Sequence, residues 1–266
     1  ENAGDNRFIE HFQYKEGFDK PIARDKTGSV YDNKHSLEFD GVDDYIDLDD
    51  TSLGDTSDYY HYSTGDFNDH GVTVAAWVFL TTASLASGYP ILSIGRTHNK
   101  YYGWRCHVNP QNKMQMDFYG SNGPGGTFGQ SSNHRMTRVS TAAIATDEWH
   151  FMTWNFKSDD YEDWVIYHNG KLVNSTKTGN DATVLTYNGN SSIGRLGKTN
   201  TSAEKYLNGS VSNLGIWKTN LGDSEIQSIY NDGNPLNYIT GSFKYTNSSS
   251  LVGYYRMEEG TGITTA

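Results

Sequence analysis

Residues 36–48 read SLEFDGVDDYIDL, and the reading of this stretch decides the fold. Leu37 and Phe39 alternate with Glu38 and Asp40, Gly41 interrupts, and Tyr45, Ile46 and Leu48 resume an apolar run. The pattern predicts two short strands hinged at a tight acidic bend. Downstream, residues 72–80 (VTVAAWVFL) are apolar at successive positions, with Val72, Val74, Ala76 and Val78 on one face and Ala75, Trp77 and Phe79 on the other. Only a central strand covered on both sides can bury such a run.

The same alternation recurs along the chain. Residues 90–96 predict a strand, and residues 103–109 and 113–119 a hairpin turned at NPQN. In that hairpin Trp104, Cys106, Val108, Met114, Met116 and Phe118 point inward, and Arg105, His107, Asn109, Gln115, Asp117 and Tyr119 point outward. Residues 148–156 predict a further strand. Residues 164–169 and 171–174 predict a hairpin through Asn169-Gly170, and residues 192–196 and 206–217 two more strands. One helix is expected in LGDSEIQSIYNDGNP, capped by Asp223 or Ser224, with Gln227 completing a capping box and Gly233 and Pro235 ending it. Residues 251–257 close the series. The first 35 residues predict an edge strand near residues 8–12 and a loop. Residues 51–71 and 120–138 predict two long loops, a length more typical of binding loops than of linkers.

The expected fold class is therefore all-β, a two-sheet antiparallel sandwich over residues 1–266 as a single domain, with one short C-terminal helix. Nineteen Tyr, six Trp and 28 Gly against five Pro suit such a strand- and turn-rich chain. The single Cys106 excludes an intrachain disulfide and is expected to be an inert, inward-facing thiol. The chain starts at Glu1, so either a leader has been removed or this is an excised piece, and no apolar stretch predicts membrane insertion. A net charge of −11 disfavours nucleic acid and anionic lipid as partners. That excess is concentrated: residues 35–95 carry eleven Asp and Glu and no Lys or Arg.

In order along the chain, SLEFDGVDDYIDL, VTVAAWV, EWHFMTWNF, VIYHNGKLV, YLNGSVSNLGIWKTNLGDSEIQSIYN and LVGYYRMEEGTG resemble the signature phrases of laminin G-like jelly-roll modules of the concanavalin A-like lectin/glucanase superfamily. The resemblance spans residues 36–262. LVGYYRMEEGTG resembles the phrase that opens such modules, yet here it stands at the C-terminus, as in a permuted module or one cut from a tandem array. The wording is similar to that of modules in marine bacterial surface proteins and phage structural proteins. It implies a carbohydrate-binding or adhesion role in a protein that is extracellular, on a cell surface or on a virion.

Asp40, Asp43 and Asp44 lie within one turn's reach, and clustered carboxylates with turn carbonyls are what Ca2+ requires. Family members often carry a structural calcium nearby, but the acid expected after their Gly-x-Ile phrase is replaced here by Ser212. A calcium site and a solvated acidic surface are both open readings.

Arg105, His107, Gln115, Asp117, Tyr119, Thr153, Asn155 and Tyr167 fall at alternate positions on strands expected to be neighbours, so they predict one polar sheet face. In jelly-roll lectins that face holds glycans, whose hydroxyls need many donors and acceptors beside a few aromatic platforms. Tyr101 between strands, and His134 and Arg135 on the second long loop, are expected to wall it. Their positive charge suits a uronate- or sulfate-bearing chain. The same residue types suit a second reading, a β-eliminating polysaccharide lyase, in which an Arg or Gln/His set neutralises a uronate carboxylate and a Tyr or His removes a proton, with Arg105, His107, Gln115 and Tyr119 as residues of suitable type. A third reading is a structural decoration domain without ligand. The paired-carboxylate strand of retaining glucanases is absent, as are a nucleophile elbow, a phosphate-binding loop and a His-Glu-x-x-His helix.

Overall fold

The computed structural model describes residues 23–24, 30–31, 35–48, 71–81, 88–94, 103–119, 135–156, 163–179, 194–199, 204–240 and 244–257. A two-residue pair, β1 (Ala23–Arg24) with β2 (Val30–Tyr31), comes first. The opening stretch then forms β3 (Leu37–Asp40) and β4 (Ile46–Leu48), which belong to different sheets. The acidic bend is therefore the crossing from one layer to the other. Gly41 makes it possible: its φ is +81°, and a Cβ there would stand 2.8 Å from the Cβ of Asn208.

Next come β5 (Val72–Leu80), β6 (Tyr89–Ile94), β7 (Gly103–Val108), β8 (Met114–Tyr119), β9 (Arg135–Ser140) and β10 (Trp149–Phe156). β11 (Val165–His168), β12 (Lys171–Leu172), β13 (Ser175–Gly179), β14 (Gly194–Leu196), β15 (Asn208–Trp217), helix α1 (Asp223–Tyr230) and β16 (Leu251–Tyr255) follow. Sheet I runs β12-β11-β10-β5-β15-β16, with β3 also paired to β15, and sheet II runs β13-β9-β8-β7-β6-β14-β4. Both are antiparallel throughout, the two-sheet jelly-roll sandwich expected. The phrase at the C-terminus supplies β16, which pairs with Leu214–Trp217 of β15, while β3 pairs with Asn208–Val211 of the same strand.

The main core lies between the sheets: Val74, Ala76, Val78, Met152, Trp154 and Phe156 from sheet I meet Trp104, Cys106, Met114, Met116, Phe118 and Met136 from sheet II. Cys106 is fully buried, and desolvation first, then the nearby Asp117 charge, raises its thiol well above the usual range. It is the inert thiol expected. The opposite face of β5 and β10 is not open to water. Ala75, Trp77, Phe151 and Tyr167 form a second core with Ile226 and Ile229 of α1 and with Leu221, Tyr238 and Tyr245. Burial on both faces is why β5 is apolar at nearly every position.

Several local expectations need correction. The second long loop was expected to reach residue 138, but Arg135–Ser140 is strand, because Thr137 and Val139 favour a pleated surface beside β8. Ser175–Gly179 extends sheet II where only a hairpin end was expected. The helix is capped at Gly222 rather than by Asp223 or Ser224, and Glu225 rather than Gln227 reaches back to the Gly222 N–H. The Asn169-Gly170 turn forms with both residues at positive φ, +50° and +72°, as a tight hairpin requires. The loop of residues 51–70, residues 120–134 and the expected edge strand near residues 8–12 lie outside the described residues. No described helix is long and apolar enough to cross a membrane.

Candidate functional site

The outer face of sheet II carries one continuous polar row, one residue from each of its seven strands. In register these are Asp47, Arg195, Ser93, Arg105, Asp117, Thr137 and Thr178. In the strands other than β13, alternation puts the apolar neighbours into the core and these residues on the other side. With strands about 4.8 Å apart, the row spans about 29 Å.

Asp117 is its centre. The carboxylate has no solvent exposure and takes three donors, Arg105 Nε–H at 2.5 Å on Oδ2 and Gln115 Nε2–H at 2.8 Å and Thr137 Oγ1–H at 2.6 Å on Oδ1, while His107 Nε2 lies 3.1 Å from Oδ2. Asn109 extends the network by donating to Gln115 Oε1 at 3.1 Å, while its own Oδ1 holds the turn through the N–H groups of Gln111 and Lys113. A buried charge is tolerated only when its lone pairs are used in this way. The network orients Arg105 and His107. It also commits Arg105 Nε and the Gln115 amide to an internal carboxylate.

The expectation of one shared face holds for Arg105, His107 and Gln115, though His107 and Gln115 are buried rather than open to solvent, and fails for Asn155 and Tyr167. These two, with Thr153, lie on the outer face of sheet I beneath α1. Asn155 donates to Leu221 O at 2.9 Å, and Tyr167 donates its phenolic hydrogen to Asp223 Oδ1 at 2.5 Å. Burial first, then that bond to a carboxylate, raises the Tyr167 phenol. Both residues fasten the helix to the sheet. The reason lies in topology: β10 and β11 are in the sheet opposite to β7 and β8, so alternation within each strand did not place their faces together. Tyr101 and His134 lie outside the described residues, and of Tyr119 and Arg135 only the backbone is described, at adjacent register positions.

Arg195, Asp47 and Ser93 were not anticipated. Arg195 Nε–H donates to Asp47 Oδ1 at 2.7 Å, repeating the Arg105–Asp117 motif two strands away. Asp47 stands between Ile46 and Leu48, and Arg195 beside Leu196, so alternation alone would have turned both outward; their pairing was not readable. At this end of the sheet Tyr45 and Tyr206 set their rings 6.3 Å apart, and Lys198 Nζ lies 4.1 Å from the first centroid and 5.0 Å from the second. Lys198 also pairs with Glu204 at 2.9 Å. Burial opposes its charge, but the bonds to Glu204 and Tyr206 outweigh it and raise its pKa.

In the acidic bend, ligand oxygens of Asp40, Asp43 and Asp44 lie within 4.8 Å of one another. Asp44 Oδ2 accepts the Asp40 N–H at 3.0 Å, and Asp40 Oδ1 accepts the Val42 N–H at 2.7 Å. Three converging carboxylates fit a hard cation such as Ca2+ in kind, each keeping a further lone pair beyond these turn bonds. Ser212, at the position of the missing acid, turns its hydroxyl to His35 O at 2.9 Å and adds nothing to the cluster.

No curated protein matches the chain. Among solved structures it is similar to the CBM40 module of the Ruminococcus gnavus IT-sialidase bound to alpha2,3 sialyllactose, at 15% identity over 73% of this chain and 96% of the other, with a TM-score of 0.52. A second structure of that module, without that ligand in its name, matches at 16% identity, the same coverage and a TM-score of 0.51. A native heptameric SAP-like pentraxin from Limulus polyphemus matches at 10% identity over 71% of this chain and 80% of the other, with a TM-score of 0.43. The laminin G-type profile of the concanavalin A-like lectin/glucanases superfamily matches residues 40–227. With the phrases in order, the two-sheet topology and a match over more than half its length, the chain belongs to the concanavalin A-like lectin/glucanases superfamily.

Proposed function

We propose that this chain is a carbohydrate-binding or adhesion module of a secreted, cell-surface or virion-displayed protein, with the glycan lying along the outer face of sheet II. The observation that carries this reading is the seven-residue polar row, in which two Arg–Asp pairs flank Ser93 and are held rigid before any ligand arrives. Ser93, Asp117 and Thr137 are buried and brace the row, while Asp47, Arg195, Arg105 and Thr178 keep exposed polar surface, preoriented for an extended, hydroxyl-rich chain because little side-chain entropy remains to be lost on binding. The likeness of the fold to a CBM40 module whose structure holds sialyllactose supports a carbohydrate ligand. The acidic bend is its structural calcium site, bracing the crossing between the sheets.

A glycan array probed with the whole chain tests the reading. Retention of saccharides, weakened by Arg195→Ala, is the expected result. A blank array would leave a structural decoration domain. Incubation with uronic-acid polysaccharides adds the third outcome: growth of the ultraviolet absorbance of an unsaturated sugar would establish a lyase and overturn the non-catalytic reading.

A further inference from the structure

Two contacts of the buried carboxylate in the polar row meet on one oxygen. Asp117 Oδ1 accepts the Thr137 Oγ1–H at 2.6 Å and the Gln115 Nε2–H at 2.8 Å, while Arg105 donates to Oδ2. A carboxylate only accepts, so the nitrogen of the Gln115 amide faces Asp117 and its oxygen faces away. That oxygen receives Asn109 Nδ2–H at 3.1 Å, and the Asn109 orientation is fixed in turn because its Oδ1 accepts the backbone N–H groups of Gln111 and Lys113. Gln115 stands opposite Val139 and Asp117 opposite Thr137, so Gln115 and Thr137 are diagonal neighbours on one face, a separation that a long side chain spans. Asn109, Gln115, Asp117 and Thr137 are all more than nine-tenths buried.

We propose that this cluster forms an intramolecular ester between Thr137 Oγ1 and Gln115 Cδ, cross-linking β8 to β9 with release of ammonia. Asp117 Oδ1 takes the hydroxyl proton as Oγ1 attacks Cδ, and the charge that develops on Oε1 is met by Asn109 Nδ2–H. The same Oδ1 then returns the proton to Nε2, which leaves as NH3. One C–O bond forms and one C–N bond breaks; Asp117 ends as it began, and no oxidant or cofactor takes part. Arg105 on Oδ2 favours the ionised carboxylate, the form able to accept the proton. Burial strengthens the Asn109 contact as charge develops and keeps water from the finished ester. The cross-link fastens the middle of sheet II and does not depend on what the outer face binds.

The intact mass of the full chain, folded and held for days at neutral pH, is the test. The expected mass is lower than that of the sequence by one ammonia. Trypsin cutting after Lys113, Arg135 and Arg138 should yield residues 114–135 and 136–138 as one joined peptide. Mild alkali should separate the two and leave a carboxylate where the Gln115 amide stood. Thr137→Val should keep the full mass. Asn109→Asp, which retains the turn-holding oxygen and loses the donor, should slow the loss by about 10²- to 10³-fold. A folded parent chain of full mass overturns the proposal, and this measurement decides alone should Thr137→Val fail to fold. Loss of ammonia without the joined peptide, the sign of a succinimide at an Asn-Gly pair, overturns it equally, as does a joined peptide that persists in Thr137→Val.

Discussion

Arg105 donates its Nε–H to Asp117 Oδ2 from the directly opposed register position of the neighbouring strand, and the carboxylate it meets is fully buried. Breaking such a pair from the acid side leaves a guanidinium, an amide and a hydroxyl without their common acceptor. Breaking it from the basic side still leaves Asp117 the Gln115 and Thr137 donors. Asp117→Ala should therefore lower stability by about 3–5 kcal/mol and Arg105→Ala by clearly less. Urea unfolding midpoints of the two variants check the order; equal or reversed losses would show that the network does not centre on Asp117.

A second prediction concerns acid. His150 Nδ1 and His168 Nε2 lie 2.9 Å apart, and His150 Nε2 lies 3.0 Å from Ala145 O. A carbonyl can only accept, so His150 carries its hydrogen on Nε2 and receives one from His168 at Nδ1. A proton added to His150 at Nδ1 would set two N–H groups against each other. Burial first, and His150 second, push the His168 imidazole down to about 4, while Glu148 pulls weakly the other way; burial likewise lowers His150. The unfolded chain takes up these protons near pH 6.5, so between about 6.5 and 4 it binds more of them than the folded chain, and stability falls as pH falls. Unfolding midpoints at pH 7, 6 and 5 should decline, and His168→Gln should flatten the slope. A flat profile in the parent protein would refute the assignment.

Glu225 fastens the segment after the helix. Its Oε1 accepts the N–H groups of Thr246 and Asn247 at 3.1 and 3.2 Å, and its Oε2 accepts the Gly222 N–H at 3.2 Å. Burial alone would raise its pKa, yet these bonds and those from the Thr246 and Asn247 side chains lower it. Glu225→Gln, which keeps one acceptor oxygen, should cost about 1–3 kcal/mol. Faster amide exchange over residues 244–250, beside Tyr245 whose hydroxyl accepts Trp217 Nε1–H at 2.6 Å, is the local readout. Exchange unchanged there would remove the latch from the account.

Calcium should raise the melting temperature. At a tenfold excess over Kd a single site contributes about 1.4 kcal/mol, or about 3–6 °C in a chain of this size. Asp43→Asn tests it cleanly, because Asp43 is exposed whereas Asp44 also holds the turn. Identical melting in calcium and in chelator would identify the bend as a solvated acidic surface.

How much was legible in the sequence follows from the range of each signal. The two-residue period of β5, β7, β8 and β10 placed Trp77, Trp104, Met116 and Trp154 in apolar layers and turned Arg105, His107 and Gln115 away from them, because alternation needs only neighbours along the strand. Asn169-Gly170 and the Ile226 and Ile229 stripe were equally local. What the strands pair with was not. That Asn155 and Tyr167 belong under the helix and that Arg195 and Asp47 join the row of Arg105 both depend on sheet order. Sheet order is decided by which apolar faces close over one another across separations such as the 148 residues between Asp47 and Arg195. Composition and period therefore determined the sandwich and the in-or-out sense of each side chain. Only the closing of two sheets over one core decided which outward residues meet, because that choice is made by burial of the opposite faces and leaves no mark in the local pattern.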